Sequence, residues 1–180
     1  LFNSLNTISA LIHSSPYKAD DVLHKLADIL RYSVDQQNEW VSLEQELAVC
    51  ETYLTVEKAR FTDNLNISWQ IASSVDRRRL KVPPLLLQPL IENVMKHVKC
   101  RPIELIISVQ VEQGKLIFKV KDNGKGFSEQ SLDEQSRAGK GLNIVKQRVD
   151  ITGGELSLYN DTSEQGGAVC EITLPIHACV

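Results

Sequence analysis

Gly139-Lys140-Gly141-Leu142 is the turn in this sequence best suited to hold an anion, because it opens the apolar-periodic stretch Leu142 to Ile151. A helix starting there points free N–H groups and the positive end of its dipole outward, with Lys140 and Arg137 beside it. Asp122-Asn123-Gly124-Lys125-Gly126 follows the strand candidate Lys115 to Val120. Two glycines at alternate positions let a backbone approach a ligand closely, and one buried carboxylate can accept a hydrogen bond from an exocyclic amine. In Gln88-Pro89-Leu90-Ile91-Glu92-Asn93-Val94-Met95-Lys96-His97, Asn93, Lys96 and His97 stand at i, i+3 and i+4. They share one polar helix face beside an apolar stripe of Leu86, Leu90, Val94 and Val98. Each stretch also has an ordinary reading. Gly-x-Gly is common loop punctuation, Asn-Gly after a strand is a leading hairpin signal, and a polar face with a Glu92–Lys96 pair is what surface helices carry.

The elements that must position these residues are legible from periodicity. Leu1, Leu5, Ile8 and Ile12 repeat at helical spacing with no cap before them, so the numbering opens inside a helix of something longer. That helix ends near Ser14-Ser15-Pro16, where proline restricts the residue before it. A second helix, with Asp20 as a candidate cap, aligns Val22, Leu26, Ile29, Leu30 and Ser33 on one face. After the polar Asp35-Gln36-Gln37-Asn38, Ser42 and Gln45 form a capping-box pattern opening a third helix. Its apolar stripe is Leu43, Leu47, Cys50, Leu54 and Phe61. Residues 1–60 are thus expected to be a helical region that packs as an antiparallel hairpin or pairs with a second copy.

Past Phe61 the period changes to two, with Leu65, Ile67, Trp69 and Ile71 alternating with polar residues, and residues 61–180 are expected to form a second domain. Further strand candidates are Ile103 to Val111, Lys115 to Val120, Glu155 to Tyr159 and Ala168 to Leu174, with Gln113-Gly114 as a hairpin turn. Leu86 to His97 and Leu142 to Ile151 are the helical stretches between them, and Pro89 fits a first turn, where its missing N–H loses no partner. Helices on one face of a mostly antiparallel sheet make an α+β sandwich.

Composition narrows the function classes. A chain of 180 residues that is 42% hydrophobic buries one sizeable core and a smaller appendage. Its net charge of −3 supplies no basic field for nucleic acid, so direct nucleic-acid binding is not expected. Cys50, Cys100, Cys170 and Cys179 lack zinc-site spacing and disulfide density, and read as buried thiols in a reducing compartment. No apolar run approaches the roughly 20 residues that span a bilayer.

In their order along one α+β unit, these stretches resemble the histidine kinases of the GHKL superfamily, and more narrowly the LytS-like sensor kinases. Gln88 to His97 looks like the family's N box, Asp122 to Gly126 like its Asp-x-Gly-x-Gly box, and Gly139 to Leu142 like its second glycine box. Leu1-Phe2-Asn3-Ser4-Leu5-Asn6 is similar to the segment just after the phosphoacceptor in a Pro-His-Phe-Leu-Phe-Asn motif. Leu30-Arg31-Tyr32-Ser33, and Val41 to Leu47 followed by Tyr53-Leu54, fit the family as well. The N box departs from the pattern at Val94 and Val98, where alanine and glycine are usual, and Ala168 stands where threonine or serine commonly follows the Gly166-Gly167 pair.

The resemblance implies a GHKL (Bergerat) sandwich behind a dimerisation hairpin, with ATP and Mg²⁺ as cofactors. It places the Asn93 side-chain oxygen on Mg²⁺ and the adenine amino group on Asp122. Gly124 and Gly126 would let the backbone curve around the base, and Gly139, Lys140, Gly141 and Leu142 would close over the phosphates. Lys96 and His97 match positions facing the phosphates, and Glu92 acts as a base or holds the helix. The phosphoacceptor is expected two residues upstream of Leu1, ahead of His13 and His24 as candidates. The implied partners are a second copy through the N-terminal helices and a response regulator, often of the LytTR type, and the implied location is the cytoplasmic part of a bacterial inner-membrane protein anchored by an upstream segment. Two rivals stand beside this reading. A gyrase-like ATPase would need a glutamate one helical turn before Asn93, where Pro89 stands. A degenerate or non-catalytic nucleotide-binding or dimerisation module would use the same residues without phosphoryl transfer.

Overall fold

The computed structural model describes residues 2–35, 40–128, 140–163 and 166–179. Helix α1 (Phe2–Ser14) and helix α2 (Pro16–Asp35) pack against each other and onto α3 (Leu43–Phe61). Pro16 itself opens α2, as proline favours a first helical position, so Asp20 is not its cap. Asp20 lies a turn inside, where its carbonyl pairs with His24. At α3 the capping box forms in full, with Gln45 N–H donating to Ser42 Oγ at 3.2 Å and Ser42 N–H to Gln45 Oε1 at 2.9 Å. Strand β1 (Val41–Ser42) pairs antiparallel with β3 (Lys81–Val82), a two-stranded sheet absent from the periodicity analysis.

The main sheet has the order β2 (Leu65–Ile71), β4 (Ile103–Glu112), β5 (Lys115–Asp122), β7 (Ala168–Pro175), β6 (Glu155–Asn160). Only β2 and β4 run parallel; every other pair is antiparallel. Gln113 and Gly114 take positive φ of 48° and 75°, the two left-handed residues that a tight β4–β5 hairpin needs. Helix α4 (Gln88–His97) and helix α5 (Lys140–Ile151) cover one face of this sheet, as the α+β expectation required.

Alternation sets what the helices cover. Ile103, Leu105, Ile107 and Val109 of β4 lie beside Leu116, Phe118 and Val120 of β5, and Cys170, Ile172 and Leu174 of β7 continue the same buried layer. Each such side chain contributes about 1.5–3 kcal/mol by leaving water. The apolar cluster extends without a break into α3 through Leu47, Cys50 and Leu54 and into α2 through Val22, Leu26 and Ile29. Of the four cysteines, Cys100 departs from the expected buried set and is exposed.

Candidate functional site

The inward series Leu116, Phe118, Val120 ends on Asp122, so the same alternation that buries three apolar residues carries a carboxylate beneath the helices. Asp122 is 6% exposed. Its Oδ1 accepts from the Gly124 N–H at 2.7 Å and the Ala168 N–H at 3.3 Å, while among the described residues nothing donates to Oδ2. The thiol of Cys170 is pushed up to about 12, by burial first and then by the Asp122 charge. A buried carboxylate with one oxygen fixed by backbone and the other uncommitted is an acceptor held in readiness for an N–H.

Glycines make room at that acceptor. A Cβ on Gly124 would stand 2.8 Å from Asp122 Oδ1 and 3.1 Å from a Val98 methyl. Gly126 has φ of 78°, and its Cβ would meet Asn160 Oδ1 at 2.5 Å. Asn160 holds the loop there, accepting from Phe127 N–H at 2.6 Å and donating to Phe127 O at 2.9 Å. Gly167, with φ of 106°, is not among the sequence candidates, yet a Cβ on it would fall inside the Asp122 carbonyl. The pairing of β7 with β5 creates that contact, and the Gly166-Gly167 pair ahead of a strand is its only local signal. Asn123-Gly124 is not a hairpin turn. Asn123 Oδ1 accepts from Glu104 N–H at 2.9 Å and its Nδ2 donates to Pro102 O at 3.0 Å, pinning the loop to the start of β4.

Helix α4 runs between the two glycine stretches. Val98, just past its C-terminus, touches the Gly124 position, while Pro89 in its first turn lies 3.7 Å from a Cβ built on Gly141 at the start of α5. About 13 Å of helix separates these ends, given a rise of about 1.5 Å per residue. Asn93 is half-buried between them, and among the described residues its amide makes no hydrogen bond. Lys96 and His97 are exposed, with Lys96 in no ion pair among the described residues, so the Glu92–Lys96 pair is absent. Glu92 accepts instead from Gln88 Nε2 at 3.0 Å. Burial raises the Tyr53 hydroxyl on α3, and the charges of Glu57 and then Glu92 add to it. Leu142 is buried at the start of α5, and Gly139 lies outside the described residues.

Asn93 presents an uncommitted oxygen, which suits a hard divalent cation. The arrangement is a buried acceptor at one end of α4, an unpaired amide, an exposed lysine and an exposed imidazole along it, and a helix N-terminus beside its other end. A base joined to a metal-bound polyanion matches that order.

Comparison with known proteins identifies the family and the fold. The pattern of the family described as "Histidine kinase" matches residues 1–65, and that of "Histidine kinase-, DNA gyrase B-, and HSP90-like ATPase" matches residues 83–178, a little over half of the chain. The chain is 36% identical to the sensor protein LytS of Staphylococcus saprophyticus, over 98% of this chain and 32% of that protein. It is 31% identical to LytS of Bacillus anthracis, over 97% and 32%. It therefore spans about a third of the length of the curated relatives it matches. Among solved structures, the mycobacterial sensor histidine kinase MprB superposes with a TM-score of 0.59 at 19% identity, covering 76% of this chain and 96% of that one. The catalytic domain of histidine kinase ThkA gives 0.60 at 17%, covering 77% and 97%. The blue-light activated histidine kinase of Erythrobacter litoralis gives 0.57 at 19%, covering 97% of this chain and 59% of that one, so the likeness in fold extends over the N-terminal helices.

Proposed function

Since the chain belongs to the histidine kinase-, DNA gyrase B- and HSP90-like ATPase family, among its LytS-like histidine kinases, we propose that it binds Mg²⁺·ATP and presents the γ-phosphate to a histidine of the same protein. In this reading residues 61–180 are the catalytic domain and residues 1–60 belong to the dimerisation and phosphoacceptor region. The observation that carries the reading is Asp122, a buried carboxylate with one free oxygen at the end of an otherwise apolar strand face. It accepts from the adenine amino group. Guanine offers a carbonyl at that place, so two acceptors would face each other in a dry site and affinity would fall by orders of magnitude.

Asn93 would hold Mg²⁺, and the metal when bound neutralises charge on the phosphates. Lys96, on the same helix face as Asn93, would add positive charge and His97 a hydrogen-bonding ring toward the phosphates, while Glu92, tied to Gln88, holds the helix. Gly141 stands in the first turn of α5 at the phosphate end, and by the family resemblance Gly139 and Lys140 would close over the phosphates with it. Transfer breaks the bond between the β–γ bridging oxygen and the γ-phosphorus, leaves ADP, and forms a bond from that phosphorus to an imidazole nitrogen. The acceptor is the histidine expected just upstream of Leu1, and the phosphoryl group then passes to an aspartate of a response regulator, of LytTR type by the family's habit.

A second copy is the partner for the N-terminal helices. Leu5 and Ile12 on α1, and Leu23, Leu30 and Val34 on α2, are exposed apolar residues at spacings of seven and four, a stripe that a parallel or antiparallel mate would cover. No described helix is long and apolar enough to cross a membrane, so a membrane anchor and the cytoplasmic placement of this region rest on the segment proposed upstream.

The test is a protein extended upstream through the Pro-His-Phe segment and incubated with γ-labelled ATP. Acid-labile, alkali-stable label on the wild type, lost on replacing that histidine, is the expected result. A folded, ATP-binding protein that takes up no label would overturn the transfer.

A further inference from the structure

Outside the nucleotide site, Glu46 is a fully buried carboxylate on α3 to which no role has been given. Oε1 accepts from the N–H groups of Leu86 and Leu87 at 2.7 and 2.9 Å. Oε2 accepts from the Leu85 N–H at 2.9 Å and the Tyr32 hydroxyl of α2 at 3.0 Å. Those backbone groups belong to the strap Pro84 to Leu87 that leads directly into α4, whose N-terminus has no side-chain cap of its own. From the other side Arg148 of α5 donates to the carbonyls of Pro84 and Leu85. Leu85 takes φ of 54°, a left-handed conformation that a leucine adopts only when its surroundings over-determine it. Its N–H is held by an acid on α3 and its carbonyl by a base on α5.

One short strap is therefore gripped by three helices with different duties. Tyr32 and Glu46 come from the helical region, Arg148 from the helix that Gly141 opens, and the strap fixes where α4 begins and so where Asn93 stands. The left-handed Leu85 and the backbone groups gripped on both sides stand at the root of α4, the helix that lies between the two glycine stretches. We propose that Glu46 is a positioning residue: by clasping Leu85, Leu86 and Leu87 it sets the position of α4, so that nucleotide affinity depends on the polar contacts of Tyr32, Glu46 and Arg148 with the strap and with one another. Coupling of this kind is reciprocal, so bound nucleotide would in turn favour the Tyr32–Glu46 contact. The inference rests on the ATP-binding reading above.

The experiment compares Mg²⁺·ATP affinity in the intact protein for Tyr32→Phe, Arg148→Lys and, as a control, Ile29→Val, a buried α2 residue with no polar contact to the strap. Tyr32→Phe removes one donor about as gently as chemistry allows, and Arg148→Lys withdraws the Nη1 that donates to both carbonyls. Each is expected to weaken ATP binding about fivefold or more, with the double variant non-additive, while Ile29→Val lowers the melting temperature without moving the dissociation constant. Wild-type affinity in Tyr32→Phe and Arg148→Lys, at reduced melting temperature, would leave the clasp a structural feature only and overturn the proposal. A wild type that binds no nucleotide would instead remove the reading beneath it, which separates the two failures. Glu46→Gln keeps the Leu86 and Leu87 acceptor and loses that for Leu85; it is expected to fall between wild type and Tyr32→Phe/Arg148→Lys.

Discussion

Asp122 and Glu46 are both buried carboxylates on backbone N–H groups, and the difference between them separates the proposed binding group from the proposed clasp. Asp122 spends one oxygen on Gly124 and Ala168 and keeps the other uncommitted beside glycines that clear the space around it. Glu46 spends both oxygens, on three N–H groups and a hydroxyl, and has nothing left for a ligand. The first sits at the end of a strand in the sheet, the second where three helices meet. Burial alone therefore does not identify a site; the count of unused acceptors does.

Removing each carboxylate breaks the comparison in a different observable. Glu46→Ala leaves three strap N–H groups buried without acceptors and is expected to cost about 3 kcal/mol or more in urea unfolding, since each orphaned group costs roughly 1–3 kcal/mol. Asp122→Asn is nearly isosteric. It is expected to lower ATP affinity about 100-fold, which is about 2.7 kcal/mol, while the unfolding midpoint moves little. An Asp122 variant that loses stability as Glu46→Ala does, with ATP affinity falling only about as far as in the clasp variants, would make the two carboxylates alike.

Gly126→Ala comes next. Its left-handed φ and the contact with Asn160 predict a loss of about 1–2 kcal/mol together with weaker ATP binding, read by melting curves with and without nucleotide. A pH series sharpens the Glu46 side. Burial lifts its carboxyl above the ordinary 4.5, against the Leu87, Tyr32, Leu86 and Leu85 hydrogen bonds. With the folded value raised, the folded chain binds the proton more tightly than the unfolded one. This contribution to stability is complete below the unfolded value and declines as pH rises through the folded one. Unfolding free energy measured upward from about pH 4.5 should accordingly fall less steeply in Glu46→Gln than in wild type. Glu57, raised chiefly by burial, leaves a residual slope of the same sign. The smallest effect is on stability in Tyr32→Phe, about 1 kcal/mol, because one hydrogen bond is lost and its acceptor keeps the Leu85 N–H.

Much of the fold is legible in local sequence patterns. The capping box at Ser42 and Gln45, the Gln113-Gly114 turn, Pro89 in the first turn of α4 and the five long strands each stand where residue spacing puts them. β1 and β3 span two residues each, too short for any period to register. Gly167 escapes a local reading because its constraint comes from Asp122, a strand partner far along the chain. Glu46 does carry a local signal. Leu43, Glu46, Leu47, Cys50, Tyr53, Leu54 and Glu57 form one series at spacings of three and four, and all are buried, so two acids lie on the apolar stripe itself. An acid on a buried stripe requires a partner, and the partner here is a backbone strap some 40 residues away.

The direct test of nucleotide recognition is a calorimetric titration of the wild-type chain and its Asp122→Asn variant with ATP and GTP, each with Mg²⁺. The account expects wild type to take ATP and reject GTP by orders of magnitude, and Asp122→Asn to lose most of its ATP affinity at an unchanged fold. Equal binding of ATP and GTP by wild type, or undiminished ATP binding by the variant, would contradict it.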